Sequence, residues 1–494
     1  MSDEIASYLG PKGYSIKKEY LTIPEQELIR KELTVKAFVP KNSMQQPTPF
    51  PVYRESPKKL YMPRFYGFKN YGDPDMIKIN DGEDIDVPFE GELREFQKPV
   101  VKAYIDSAVK CGAGLIEVHC GFGKTICALN IISKLKKKTL VIVHKEFLLE
   151  QWKERISQFL PTAKVGRIQA GIIDIEGKDI VIGMLQSLSM KSYPTSLFQR
   201  FGLTIVDETH HISSQVFSNA LFQIVTKYML GLSATMERKD GLSFVFKMFL
   251  GEIIYKKERE STDIVTVKGI EYNVEDEYFN KIEYNFKGQV HYSKMIKKLC
   301  EFNRRSEFIL KVLSDSLKEN NKQQFIILAH NKNVLKYLHD AVQHRKISSV
   351  GYYVGGMKQK DLKLSEEKQV IIATYAMAEE ALDIKSLTSL IMATPKTDVR
   401  QAVGRILRKK QSNALVLDIV DTHPIFQRQW QKRCRWYRKQ KFTIITTNID
   451  DYAKNKWQLL SEKGKRFRNK KTVTGSGKQV DEMMSKLLQG VCLV

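Results

Sequence analysis

The sequence has few cysteines, six in 494 residues (Cys111, Cys120, Cys127, Cys300, Cys434 and Cys492). They form no C-x-x-C pair and no metal-ligand spacing, which excludes a disulfide framework or a structural zinc as the source of stability. Reduced, mostly buried thiols in an intracellular compartment are the expectation. No apolar run approaches the roughly 18 residues that span a bilayer, so no membrane partner is expected. The start, Met1-Ser2-Asp3-Glu4, is acidic and carries no apolar h-region, so no secretory leader is expected. Acidic side chains are also short in number, 56 Asp and Glu against 80 Lys and Arg, for a net charge of +24. An excess of that size points to a polyanionic partner. It is clustered: residues 411–494 hold 17 Lys and Arg against 7 Asp and Glu, ten of the 24 excess charges.

The chain is too long for one core, and its length suggests roughly three domains. Its centre of organisation is Cys120-Gly121-Phe122-Gly123-Lys124-Thr125, between an apolar run at 115–118 and a helix-like run at 126–135. Glycines here let backbone N–H groups close around phosphate oxygens. The helix N-terminus adds positive partial charge, Lys124 reaches the β- and γ-phosphates, and the Thr125 hydroxyl can ligate Mg²⁺. The general pattern places a glycine six residues before the lysine, where this chain has Val118. Taken alone, the stretch fits either a phosphate cradle or an ordinary strand–turn–helix junction.

Residues 1–90 are mixed, with prolines at 40, 47, 49 and 51. The aromatic and basic stretch 61–68 suits either base stacking or a strand packing its rings into a small core. The pattern turns helical near 92–97. Gln97 could read the edge of adenine through its amide, although the local pattern alone makes it a surface helix residue. Strands are expected at 139–143, 180–183, 203–206 and 228–232, with a helix at 146–159. This alternation argues for a parallel sheet covered on both faces, with ligands at the strand C-termini. The polar clusters His144-Lys145, Gln186-Ser187, Asp207-Glu208-Thr209-His210 and Ser233-Ala234-Thr235 fall at such ends. Residues 242–320 read as a connector or insertion, strand-like over 269–284. A second alternation follows, with strands expected at 324–328, 349–354, 370–373, 389–392 and 414–419, and without a phosphate loop.

Asp207 can hold a Mg²⁺ shell while Glu208 orients and deprotonates a water, because phosphoryl transfer needs positioning and charge compensation more than covalent help. The bland alternative is an acidic strand end beside a turn. In the second half, Asp398-Val399-Arg400-Gln401-Ala402-Val403-Gly404-Arg405-Ile406-Leu407-Arg408 reads as a helix start, with Arg405 and Arg408 on one face. Guanidinium groups suit γ-phosphate oxygens; the alternative is a solvated basic face. Between Trp430 and Phe442, charges interleave with rings in a pattern suited to phosphate contact and stacking, or to docking of the tail through Trp436 and Tyr437.

The ordered set over roughly 90–420 resembles the superfamily 2 helicases and translocases. Gln97 is similar to the adenine-reading glutamine, 120–125 to motif I, His144-Lys145 to the Ia region, and Asp207-Glu208-Thr209-His210 to motif II. Ser233-Ala234-Thr235 matches motif III, Thr374 with Ala381-Leu382-Asp383-Ile384 resembles motif V, and 401–408 resembles motif VI. The cysteine before the phosphate-loop glycine and Glu150-Gln151-Trp152-Lys153 look most like the XPB-like branch. The tail after Asp421 resembles helicases of large DNA viruses of poxvirus and asfarvirus type. Thr209 stands where the family usually has alanine, and Glu379-Glu380 precede Ala381 where it often has glycine. No nuclease constellation accompanies the motifs.

The resemblance implies an α/β protein of two tandem RecA-like parallel-sheet lobes. The expected division is an N-terminal accessory domain (1–90), an ATP-binding lobe (91–250), a connector or insertion (251–300), a second lobe (301–420) and a basic C-terminal extension (421–494). It implies ATP and Mg²⁺ as cofactors. Arg94, Gln97, Cys120, Gly121, Phe122, Gly123, Lys124, Thr125 and Asp383 would bind nucleotide, with Thr125 and Asp207 on the metal. Lys124, Asp207, Glu208, Gln401, Arg405 and Arg408 would carry hydrolysis, and Ser233 and Thr235 would couple it to movement. His144, Lys145, Gln186, His330, Asn331, Thr374, Lys432, Arg435 and Lys439 would touch the strand. The implied function is ATP-dependent unwinding of or translocation on nucleic acid, DNA rather than RNA, in transcription or repair, with that machinery as partner. A monomer in the host cytoplasm, virion or nucleus fits. The alternative is a nucleic-acid-binding transcription scaffold whose ATPase is incidental.

Overall fold

The computed structural model describes residues 6–38, 47–119, 121–208, 214–238, 240–258, 264–380, 382, 384, 386–407 and 414–460. Cys120, Asp383, Arg408 and the charged tail beyond 460 lie outside the described residues. The chain divides into two compact units, residues 1–259 and 260–494.

Within the first unit, apolar runs rich in Val, Ile and Leu form an eight-stranded sheet. Its order is Ile172–Asp174, Val165–Gln169, Ile180–Met184, Thr139–Val143, Leu203–Asp207, Tyr228–Ser233, Ala113–Val118 and Ile253–Lys257. Every neighbouring pair is parallel except the edge pair of Ile172–Asp174 with Val165–Gln169. Central strands such as Thr139–Val143 and Leu203–Asp207 are buried along their whole length, as strands covered by helices on both faces must be. The helix Glu146–Phe159 turns Leu148, Leu149, Trp152 and Ile156 inward at helical spacing. Because the interior strands are parallel, the residues that follow them all emerge at one edge of the sheet.

The same unit contains a five-stranded mixed sheet in the order Arg54–Glu55, Lys59–Met62, Gly13–Lys17, Ser7–Gly10, Met76–Ile77. The pairings Leu9 with Tyr14 and Tyr14 with Met62 put one row of side chains into its core. Arg64 fastens this sheet to the larger one, donating Nη1–H to Lys227 O (3.1 Å) and Nη2–H to Cys111 O (2.9 Å). Burial pulls the Arg64 guanidinium pKa down to about 10. Of the aromatic stretch 61–68, Met62 and Tyr66 are buried and Phe65 packs against the large core. That stretch serves packing.

The second unit holds another eight-stranded sheet, in the order Val350–Tyr353, Val370–Thr374, Gln324–Ala329, Leu387–Met392, Ala414–Asp421, Val265–Tyr272, Thr443–Asn448, Gln458–Leu459. Only the last pair is antiparallel. The α/β expectation of two parallel-sheet lobes is met. The connector reading of 251–300 is not: Val265–Tyr272 is an interior strand, flanked by Ala414–Asp421 and Thr443–Asn448. Polar side chains disguised it. Lys268 sits in that strand 8% exposed, with Nζ on Glu319 Oε2 at 3.0 Å.

The reading of residues after 421 as an appended basic extension also changes. Helix Pro424–Lys439 carries the chain across the Val265–Tyr272 strand into the parallel strand Thr443–Asn448. Trp430 lies so close over Gly269 that a Cβ there would meet its ring at 2.7 Å. Arg433, 1% exposed, forms a two-point bond with Asp418 (2.7 and 2.8 Å), and Tyr437 is fully buried beside them.

Candidate functional site

The loop after strand Ala113–Val118 turns on Gly121 (φ +83°) and Gly123 (φ +93°), both left-handed, a region closed to most side chains. A Cβ on Gly123 would come 2.4 Å from Gln97 Nε2. Only glycine therefore lets the loop close and start helix Lys124–Leu135. Lys124 opens that helix and extends its ammonium to Glu208 Oε1 at 2.7 Å, with both side chains mostly shielded. One contact thus joins the phosphate loop to the acidic strand end 84 residues later. An ammonium has three donors, so Lys124 can hold Glu208 and a phosphate oxygen together.

Asp207 ends the fully buried strand Leu203–Asp207 and is itself 6% exposed. Burial, and then the adjacent Glu208 carboxylate, push its carboxyl above the usual range. Its two oxygens are held separately. Trp152 Nε1–H donates to Oδ2 at 2.9 Å, and the Glu208 N–H donates to Oδ1 at 3.0 Å. Glu208 has φ +50°, a left-handed conformation that costs a non-glycine residue about 1–3 kcal/mol and tends to mark functional sites. The donor set suits Mg²⁺ with a nucleotide: left-handed glycines at a helix start, a hydroxyl at Thr125, and a buried carboxylate with its orientation fixed. Trp152 is the residue that motif reading missed. Its only sequence signal was the 150–153 string, used there for family resemblance.

Gln97 is 2% exposed, which corrects the surface-helix reading. Its Oε1 accepts from the Arg94 N–H (2.9 Å) and its Nε2–H donates to Phe122 O (2.9 Å), so the amide orientation is fixed by its partners. Each atom keeps a second bonding site, which leaves the amide able to read an adenine edge. Helix Lys98–Cys111 begins after Gln97, not at 92. Arg94 is exposed, with its guanidinium 5.9 Å from the Phe96 ring, and Phe96 packs edge-on to Phe122.

At the same sheet edge His144 is 8% exposed, Lys145 is half-buried and Gln186 is exposed. Gln186 Nε2–H donates to His144 O at 3.0 Å, joining two strand ends. Ser233 closes on Thr235, its hydroxyl donating to Thr235 O (2.6 Å) and accepting from the Thr235 N–H (3.2 Å). The structure therefore brings Lys124, Thr125, Asp207, Glu208, Ser233 and Gln97 to one edge of one sheet.

In the second unit, His330 follows strand Gln324–Ala329, and Thr374 ends the adjacent parallel strand. His330 Nδ1 lies 2.8 Å from Thr394 Oγ1, and its ring is 4.8 Å from that of Tyr375. Desolvation, then the Lys396 charge, lower the imidazole pKa to about 4. The ring is thus neutral above about pH 5. Any contribution of His330 to strand affinity, read as the Kd ratio of parent to His330→Asn, is expected to stay flat from pH 8 to pH 6. A ratio that grows as pH falls would mean the ring binds as a cation. Asn331 Oδ1 caps helix Lys332–His344 by accepting from the Asn333 N–H at 2.7 Å. Thr374 Oγ1 accepts from the Met377 N–H at 3.4 Å.

Helix Arg400–Arg405 is shorter than expected. It ends at Ile406, whose N–H turns back to Val403 O, and Ile406 and Leu407 are buried. Arg408, the other half of the expected basic face, lies outside the described residues. Arg405 is 9% exposed and donates Nη1–H to Leu382 O at 3.0 Å; Gln401 is half-buried. On helix Pro424–Lys439, Lys432, Arg435 and Lys439 all lie on the exposed face.

Residues 90–238 match the family described as type III restriction enzyme, res subunit. A protein of Acanthamoeba polyphaga mimivirus, named as ATP-dependent RNA helicase L396, is 33% identical over 477 residues, covering 94% of this chain and 91% of that one. A protein of African swine fever virus, named as ATP-dependent RNA helicase QP509L, is 27% identical over 68% of this chain and 70% of its own. The DNA 3'-5' translocase XPB2 of Sulfurisphaera tokodaii is 27% identical over 67% of this chain and 81% of its own. Taken with the two parallel-sheet lobes and the phosphate loop tied to an acidic strand end, these likenesses place the chain in the superfamily 2 helicases, in the XPB-like branch with helicases of large DNA viruses, as an ATP-hydrolysing enzyme that acts on nucleic acid.

Proposed function

We propose that this enzyme couples hydrolysis of Mg²⁺-bound ATP to movement along DNA in transcription or repair. The Lys124–Glu208 contact beside Asp207 carries the catalytic part, because it gathers phosphate binding and water activation at one sheet edge. Thr125 and Asp207 would hold the metal, which would screen charge on the transferring phosphate. Gln97 and Arg94 would face the base, and Glu208 would orient the attacking water. Gln401, Arg405 and Arg408 are proposed to serve hydrolysis, and Asp383 to bind nucleotide. Ser233 and Thr235 would pass the change to the residues proposed to touch the strand: His144, Lys145, Gln186, His330, Asn331, Thr374 and the exposed Lys432, Arg435 and Lys439.

The relatives' names divide between RNA and DNA, and the XPB-like features favour DNA. ATP turnover measured alone and with single-stranded DNA, duplex DNA or RNA decides the matter. Stimulation by DNA is expected; stimulation by RNA alone would replace DNA with RNA, and indifference to all three would overturn the reading.

Trp152→Phe isolates one indole N–H. Asp207 Oδ2 would lose a buried donor, a loss of about 1–3 kcal/mol. The denaturant midpoint should fall accordingly, and the Mg²⁺ concentration for half-maximal turnover should rise. An unchanged Mg²⁺ requirement would reduce Trp152 to a packing residue.

A further inference from the structure

One exposed element of the second unit is used by none of the site residues. The chain leaves strand Val265–Tyr272 at the edge where the parallel strands end, makes one turn at Glu277–Asn280, and forms a hairpin in which Tyr284 bridges Val290. Asn285 closes it. The Asn285 N–H donates to Gln289 O (2.7 Å), and Asn285 Oδ1 accepts from the N–H groups of Lys287 (2.9 Å) and Gln289 (3.0 Å). Gly288 supplies the left-handed residue at φ +68°, and the His291 N–H bonds Glu283 O at 2.7 Å. A turn held by this many bonds is stiff, yet it presents two aromatic rings to solvent: Phe286 is 76% exposed and Tyr284 56%. Lys287 places its ammonium 5.6 Å from the Phe286 ring centre, and Lys281 and Lys294 are exposed on either side.

The hairpin stands next to the candidate strand contacts. At its foot Tyr292 donates its hydroxyl to Pro395 O at 3.4 Å. Pro395 adjoins Thr394, the partner of His330, and Lys396, whose ammonium is 4.8 Å from the ring of Tyr375 beside Thr374. A rigid turn loses little entropy on binding, and rings flanked by lysines match the alternating bases and phosphates of a nucleic-acid strand.

We propose that the Tyr284–Val290 hairpin is a base-stacking element. Phe286 receives a nucleobase of the strand that passes His330 and Thr374, and Lys287 meets a neighbouring phosphate. The proposal rests on the nucleic-acid reading and names a contact that the motifs do not include.

The probe is a single strand of about 20 nucleotides, in DNA and RNA versions, carrying 2-aminopurine, whose fluorescence is quenched by stacking. Phe286→Ala is expected to weaken binding about 5- to 150-fold and abolish the protein-induced quench, whereas Phe286→Trp retains both. Lys287→Gln should lower the slope of log affinity against log salt by about 0.7. All three variants should keep the parent's thermal midpoint, since the side chains are exposed. Parent-like affinity and quench in Phe286→Ala, or a Phe286→Trp protein as weak as the alanine variant, overturns the stacking role. A parent protein that binds neither strand would instead overturn the nucleic-acid reading beneath it.

Discussion

Replacing Lys124 by alanine is expected to remove ATP turnover, by on the order of 10²–10³-fold or more, the scale seen when one preorganised charge is withdrawn from a reacting centre. Lys124 is the first residue of helix Lys124–Leu135, and its side chain runs to Glu208 rather than into the core, so the fold should survive. Two losses coincide in the variant. The β- and γ-phosphates lose their ammonium, and Glu208 loses the cation that ties it to the phosphate loop. Nucleotide affinity and hydrolysis should therefore fall together. Glu208→Gln separates them: the amide keeps an oxygen for Lys124 but cannot take a proton from water, so ATP should still bind while turnover stops. Lys124→Arg is expected to fail like alanine, because a planar guanidinium does not reproduce a compact point charge. Binding of a fluorescent ATP analogue and steady-state phosphate release distinguish the cases. A Lys124→Ala protein that turns over ATP at the parent rate would remove the lysine from the mechanism.

The parts of this site that could be read from the sequence are those imposed by local backbone chemistry. Gly121 and Gly123 are glycines because their φ angles require it, and Asp207-Glu208 follow a run broken only by Thr204 because the strand is buried on both faces. The strand at 139–143 and the helix at 146–159 stood out for the same reason. What could not be read are partnerships between residues far apart in sequence. Gln97 looks like a surface residue until Phe122 arrives to accept its amide hydrogen, and Trp152 gives no local sign of Asp207, 55 residues on. The strand Val265–Tyr272 was obscured by Thr266, Lys268 and Glu271, polar residues in an interior position. The tail was misjudged by charge count. Phe426, Trp430, Arg433 and Tyr437 recur at intervals of four, three and four, the spacing of one inward helix face, and that signal lay beneath the excess of Lys and Arg.

That revision makes neighbouring residues behave in opposite ways. Arg433→Ala is expected to destabilise the second unit by about 3–5 kcal/mol, because it leaves the fully buried Asp418 carboxylate without its two-point partner. Lys432→Ala, one residue earlier on the exposed face, should leave the unfolding midpoint where it is. It should instead lower the salt dependence of nucleic-acid binding by slightly less than one unit of slope. If the loss at Arg433 is one of uncompensated charge, removing both charges should restore part of it. Arg433→Met with Asp418→Leu exchanges the ion pair for apolar volume, an exchange that is often neutral or favourable in buried positions. Recovery should be incomplete here. The Tyr437 hydroxyl loses Asp418 as an acceptor and Lys396 O loses the Arg433 Nη1 donor. Unfolding midpoints of the parent, Arg433→Met, Asp418→Leu and the double variant form a double-mutant cycle, and its coupling energy measures the pair. If Arg433→Ala unfolds with the parent and loses nucleic-acid affinity as Lys432→Ala does, the helix is a binding surface on both sides and the buried pair contributes nothing to the fold.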